Sequence, residues 1–435
     1  MNDQTDVIVV GGGFAGVTAG RELSTMGHQV TLLEARDRLG GRTWFSPNVL
    51  DGHSLELGGT WVHWVQPHVW AEISRYGLAV KESPPQTGAI WYENGERKEG
   101  TYDEAWSLLE PAMRRFSDDA MTRFDRPYEP LYRRETVEEV DEQTIRERVE
   151  SMNFPAEQEE LLLSLYSLCC SAPTAEGATT MILRWMALNN NDPALFFEAL
   201  ARFKFVDGTV SLIEAMSSES RADVVLECPV ASIARTDEGV TVTARDGKEF
   251  VARLAIVTVP LNVLGAIEFD PPLAAGKAEA AEEGQASRGS KVWIRIKGRT
   301  DMIVVFGPED APISYLQSEF PAEEGQILVG FGPSGDDLDV EDLSAVSDAV
   351  RRLLPDVEVV ACAGHNWRAD EFARGTWPVL RPGQLTKSLA KMQAPEGRVL
   401  FAGSETADGW NAYIDGAIES GLRASREAKA LLSSG

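Results

Sequence analysis

Residues 7–16 read Val-Ile-Val-Val-Gly-Gly-Gly-Phe-Ala-Gly. The β-branched run Val7 to Val10 predicts a strand covered on both faces, as in a parallel sheet. Gly11-Gly12-Gly13-Phe14-Ala15-Gly16 then has the spacing GxGxxG, and Ala15, Ala19, Leu23 and Met26 recur behind it at helical intervals up to the terminator Gly27. Each glycine answers a separate need: Gly11 a tight turn, Gly13 close approach of backbone to a diphosphate, Gly16 close packing of helix on strand. The helix start, with Phe14 and Ala15 in its first turn, faces the phosphate charge. A second strand, Gln29 to Leu33, ends at Glu34, where an acid accepts from a ribose hydroxyl. Strand, glycine turn, helix, strand and acid in register predict a dinucleotide-binding α/β unit.

The chain has 435 residues, 43% of them hydrophobic, more than one core usually takes up, so two domains are expected. A formal net charge of -27 excludes a nucleic-acid footprint and an anionic membrane surface, both of which need basic patches. It would draw a cationic substrate, although an acidic surface serves solubility first. Cys169, Cys170, Cys228 and Cys362 form neither a disulfide framework nor a zinc pattern, and no histidine pair has ligand spacing, so no metal is expected. Without a signal-like start or a long apolar run, the expected location is the cytoplasm.

After the acid the chain continues Glu34-Ala35-Arg36-Asp37-Arg38-Leu39-Gly40-Gly41-Arg42-Thr43. The pattern ExRxRxGGR behind GxGxxG resembles the flavin amine oxidase superfamily. The resemblance implies FAD, with Ala35, Arg36, Gly41 and Arg42 making a second approach to its diphosphate. Adjacent glycines expose N–H groups and an arginine supplies a forked donor, which suits phosphate; the competing reading of Arg36, Arg38 and Arg42 is a solvated basic loop. The resemblance extends to Gly58-Gly59-Thr60-Trp61, whose backbone would lie along the isoalloxazine, and to Cys228-Pro229-Val230, where Val230 would face the adenine. Residues 403–424, GSETADGWNAYIDGAIESGLRA, resemble the family's carboxy-terminal signature. They imply Gly403 and Glu405 near the ribityl and diphosphate, and Tyr413 and Ile414 at the flavin.

Trp377, in Gly375-Thr376-Trp377-Pro378, falls where the family has the second wall of an aromatic cage opposite Tyr413, which would position an amine; both could instead be core aromatics. Lys291 matches the lysine that reaches the flavin's reactive nitrogen through water, against the alternative of a solvent-facing edge lysine. Leu168, Tyr315 and Phe331 are pocket candidates that could equally be plain core. Thr376 stands where covalently flavinylated relatives have cysteine, so the FAD is expected to be noncovalent.

The expected fold is α/β. A Rossmann-like FAD-binding domain would take residues 1–80, 205–285 and 390–435, and an α+β substrate domain of mixed sheet and helices 81–204 and 286–389. Residues 81–204 read as a helical cap, with Thr136 to Glu150 and Ala156 to Leu168 as helices; Lys291 to Ile296, Met302 to Phe306 and Ile327 to Phe331 read as strands. The segments around Lys291 and Trp377 look most like bacterial monoamine and nicotine-type oxidases. That implies oxidation of a small, mostly apolar primary or secondary amine, cyclic or aryl-bearing, to an imine and then an aldehyde or ketone, with oxygen reduced to hydrogen peroxide. The expected partners are the amine and molecular oxygen, without nucleic acid or membrane; a homodimer is compatible with the sequence. Three readings compete: a carbon–carbon desaturase or porphyrinogen-type oxidase, a binding protein of the GDP-dissociation-inhibitor type, and an NAD-dependent dehydrogenase.

Overall fold

The computed structural model describes residues 5–433. Val7 to Val10 are all buried, and the strand Thr5–Val10 lies inside a parallel sheet, between Val30–Leu33 and Glu249–Val257. Asp223–Val225 continues the sheet on one side, and Val399–Phe401 pairs in parallel with Glu249–Val257. Beyond them the antiparallel strands Val240–Ala244 and Val230–Arg235 extend the layer to Glu268–Asp270. Helices Phe14–Thr25 and Ile414–Ser433 pack together over one face, in a core that includes Val7, Val9, Leu254 and Ile418. Helices hundreds of residues apart in sequence thus form one pair.

Helix Pro67–Tyr76 is fastened to this layer by a charge pair. The Arg21 guanidinium donates to both oxygens of Glu72 at 2.6 Å, and the two residues are 1% and 6% exposed. The fork matches the carboxylate, so neither charge is left bare in the interior.

The second sheet has seven strands, in the order Glu358–Gly364, Ser290–Lys297, Gly325–Gly332, Tyr315–Ala322, Ile303–Phe306, Gly88–Glu93, Glu96–Thr101. All neighbours are antiparallel except Ile303–Phe306 with Gly88–Glu93. Helix Ala156–Cys170 lies against four of these strands, and the amphipathic helix Leu343–Leu353 packs through Val346, Val350 and Leu353 into a core with Ile294 and Leu328.

Three local readings change. Residues 81–204 are not purely helical, because the hairpin Gly88–Glu93/Glu96–Thr101 forms the edge of the second sheet. Its turn, Asn94-Gly95, has both residues at positive φ (53° and 74°), the Asn-Gly signature of a type I′ hairpin. The expected helix from Thr136 to Glu150 is two helices, Arg134–Asp141 and Ile145–Ser151, because Thr144 and Glu147 form a capping box that starts the second. Strands Tyr315–Ala322 and Glu358–Gly364 join the three expected in the second sheet. Among the described residues, no helix is long and apolar enough to cross a membrane.

Replacing Glu72 by Leu removes the buried bidentate partner of Arg21 and leaves the guanidinium hydrogen-bonded only to Glu22 and the Tyr76 hydroxyl. Such losses cost about 3–5 kcal/mol, so the urea midpoint of Glu72→Leu should fall accordingly, whereas an unchanged midpoint would show the pair to be dispensable.

Candidate active site

A single cavity runs from the glycine turn to the helices of the second layer. At the turn, Gly11 has φ +109°, and a Cβ on Gly16 would sit 1.9 Å from the Gly11 carbonyl oxygen. Helix and strand can therefore touch there only through glycine. The helix cap, Gly13, has no side chain to satisfy the first N–H groups, the first turn carries no acid, and the first intrahelical bond runs from Val17 N–H to Gly13 O. Gly13, Phe14 and Ala15 line the cavity with those donors. Gly16 does not line it; it lies behind the wall, in the helix–strand contact.

The Glu34 carboxylate, 4% exposed, accepts from Gly12 N–H at 2.6 Å and Arg36 N–H at 2.8 Å, which joins the glycine turn to the ExRxRxGGR loop. Gly12 O in turn accepts from Gly40 N–H at 2.9 Å. Ala35, Arg36, Gly41, Arg42 and Val230 line this end. Arg42 donates to Thr376 O at 2.9 Å and to Glu405 at 2.8 Å. Glu405 is buried one layer back and acts on the cavity only through Arg42. Arg38 is no solvated residue either: it braces its own loop, donating to the carbonyls of Thr43 and Gly41. Arg36 is held by Asp370 at 2.5 Å, which also meets His365 at 2.9 Å. The loop that carries Trp367 and Phe372 is thereby tied to this end of the cavity.

Midway, Gly58, Gly59, Thr60, Trp61, Gly403, Tyr413 and Ile414 come together on the cavity wall with Lys291. The strand of Lys291 is paired on both sides and the residue is 4% exposed, so the edge-lysine reading fails. Its ammonium donates to Glu56 O and Gly58 O at 2.8 Å and to Thr60 Oγ1 at 2.5 Å. Burial pushes Lys291 below the ordinary lysine value, while Glu56 pulls it back. Burial likewise pushes the Glu56 carboxyl up, against the opposing N–H of Thr209 and charge of Lys291.

At the far end the wall is apolar and aromatic. Phe331 touches Trp61, Tyr315 and Trp377, with ring centroids 6.2–6.3 Å apart. Trp377 is fixed by its indole N–H to Cys169 O at 2.9 Å, and Tyr413 stands edge-on to Trp185 and Trp410 at 5.3 and 5.1 Å. Leu168 lines the same space.

The model of the family described as flavin containing amine oxidoreductase matches residues 14–429. The chain belongs to that family. It is therefore an FAD-dependent oxidoreductase acting on amines. It is 38% identical to a pseudooxynicotine dehydrogenase of Pseudomonas sp over 427 residues, 97% of this chain and 85% of that one. With the (S)-6-hydroxynicotine oxidase of Paenarthrobacter nicotinovorans it shares 31% identity, covering 95% and 97%. The fold is also that of a cyclohexylamine oxidase from Brevibacterium oxydans, with TM-score 0.78 at 19% identity over 99% of this chain and 100% of that one.

Sequence reading missed Leu165, Trp185, Phe197, Leu200 and Gln317, all on the cavity wall. The first four sit on helices whose apolar spacing is the same toward a cavity as toward a core. Gln317 sits in the mixed stretch Tyr-Leu-Gln-Ser-Glu-Phe, whose polar residues hide the inward face of a strand.

Because the folded-state pKa of Lys291 lies below its unfolded value of 10.5, the unfolded chain binds the extra proton as pH falls through that window, and stability rises with pH. Lys291→Met removes this contribution. Urea unfolding from neutral to alkaline pH should show the wild type gaining on the variant, by up to about 1.4 kcal/mol per pH unit; parallel curves would deny the lysine its perturbed state.

Proposed function

We propose that this enzyme holds FAD noncovalently along the glycine turn and oxidises a small, mostly apolar primary or secondary amine, cyclic or aryl-bearing, at the far end of the cavity. The product is an imine, hydrolysed to an aldehyde or ketone, and oxygen is reduced to hydrogen peroxide. The observation that carries this reading is the far wall: the described residues lining that end are uncharged, and Lys291, midway along the cavity, is already committed to Glu56, Gly58 and Thr60. No arginine there anchors an amino acid's carboxylate, and no acid there holds the second charge of a diamine.

The uncapped helix start fits an anion, so Gly13, Phe14 and Ala15, with Gly41 and Arg42, would hold the diphosphate. Glu34 retains lone pairs for a ribose beyond its two backbone donors, and Val230 would face the adenine. Gly58 to Trp61 and Gly403 to Ile414 would flank the flavin, with Gly16 and Glu405 supporting from behind. In this reading residues 1–80, 205–285 and 390–435 form the cofactor domain, and 81–204 with 286–389 the substrate domain. Thr376 Oγ1 is engaged with Ser171 Oγ at 2.7 Å and offers no thiol for attachment.

The flavin would supply hydride acceptance and electron return to oxygen. The chain's own residues would bind and orient: Trp377 and Tyr413 would present aromatic faces to the nitrogen, Phe331 and Leu168 would exclude water around the carbon skeleton, and Lys291 would hold a proton beside the flavin. The 38% and 31% identical relatives are named for nicotine-type substrates, in keeping with an aryl-bearing cyclic amine.

Turnover of phenethylamine, cyclohexylamine and nornicotine should be compared with that of putrescine and leucine, reading peroxide and carbonyl product. An unpaired second charge in an apolar cavity costs several kcal/mol, so kcat/KM for the monoamines should exceed that for putrescine by about 100-fold. A preference for putrescine or leucine would refute the substrate class; carbonyl product without peroxide would remove oxygen as the acceptor.

A further inference from the structure

Strand Tyr315–Ala322 carries Tyr315, Gln317 and Glu319 at alternate positions, all of them buried. The Tyr315 hydroxyl donates to Gln317 Oε1 at 3.0 Å, and Gln317 Nε2 donates to Glu319 Oε1 at 2.6 Å. The other Glu319 oxygen pairs with Lys204, which comes from the short strand Phe203–Phe205. The register of the Tyr315 strand slips between Ser318 and Phe320, so Glu319 lies in a bulge. Bulges re-aim side chains beside functional sites. This one meets Lys204, whose ammonium lies 4.9 Å from the centre of the Phe320 ring.

The polarity of this chain of bonds is fixed from its charged end. Lys204 only donates, and the carboxylate facing it only accepts. Gln317 must therefore turn its amide nitrogen to Glu319, since the reverse would set two oxygens against each other, and its amide oxygen is left facing Tyr315. The tyrosine proton is then committed to Gln317. What its oxygen can still offer is a lone pair. Tyr315 and Gln317 both line the substrate end of the cavity, beside Phe331, and the oxidation described above makes no use of them.

We propose that the Lys204–Glu319 pair, acting through Gln317, sets Tyr315 as a hydrogen-bond acceptor in an otherwise apolar cavity, so that the enzyme selects ligands carrying a hydroxyl or N–H donor in addition to the reacting nitrogen. The inference rests on the far end of the cavity being the substrate site. Glu319, Lys204 and Gln317 are positioning residues; Tyr315 is the one that touches the ligand.

The test uses two neutral probes that cannot be oxidised as amines. p-Ethylphenol offers a donor, and p-ethylanisole is its ether, with the donor removed. Their dissociation constants are read on the holoenzyme from perturbation of the flavin spectrum. The wild type should bind the phenol about tenfold more tightly than the ether, the scale of one hydrogen bond in a dry site. Tyr315→Phe should abolish that preference. Gln317→Met keeps the ion pair and frees the tyrosine proton, so the preference should vanish or reverse toward the ether, which loss of packing alone would not produce. Equal binding by the wild type, no binding of either probe, or a phenol preference surviving in Gln317→Met would overturn the proposal. Amine oxidation is read separately by the peroxide assay, so the two readings fail independently.

Discussion

Helix Phe14–Thr25 meets strand Thr5–Val10 only because Gly16 lacks a side chain: a Cβ there would lie 1.9 Å from the Gly11 carbonyl oxygen. That approach plants an uncapped helix start at the end of the sheet, where its N–H groups turn to the cavity. Glu34 then ties the turn to the following loop through Gly12 and Arg36, and Arg42, held by Glu405 and the Thr376 carbonyl, ties that loop to the chain's last third. The constraint at one pair of glycines thus propagates across segments hundreds of residues apart.

Where the two layers face each other, the buried Lys291 and the buried ion pair of Lys204 with Glu319 interrupt the apolar interior. Burying charge is expensive, and apolar residues of similar volume would often stabilise such a site as well or better. What the charges provide is direction. Lys291 is gripped by the Glu56, Gly58 and Thr60 segment, which fixes the backbone along the middle of the cavity. Lys204 and Glu319 dictate which way an amide and a hydroxyl point. The remaining wall is left to shape and to aromatic faces.

The cofactor half was legible because its chemistry is carried by backbone. Close approach demands glycine, and glycines at fixed spacing, followed by Glu34 and the arginine loop, survive as a linear pattern. Lys291 was legible as a residue but not as a state, since only the sheet shows both flanks paired. The substrate half was mostly illegible. Trp185, Phe197 and Leu200 have the periodicity of any core helix, and whether a buried side chain faces protein or a hollow depends on elements distant in sequence. Leu168, Tyr315 and Phe331 could be nominated only alongside the alternative of plain core. The hairpin turn at Asn94-Gly95 and the capping box at Thr144 and Glu147 were local signals, overlooked because charge density between them suggested continuous helix.

The most direct measurement is an anaerobic titration of the purified holoenzyme with one aryl-bearing secondary amine, following the visible spectrum. The expected result is a yellow protein bleached by one equivalent of amine per flavin, with FAD released intact into the supernatant on denaturation. A flavin left oxidised by excess of that amine yet reduced by a nicotinamide donor would contradict the assignment of the cavity.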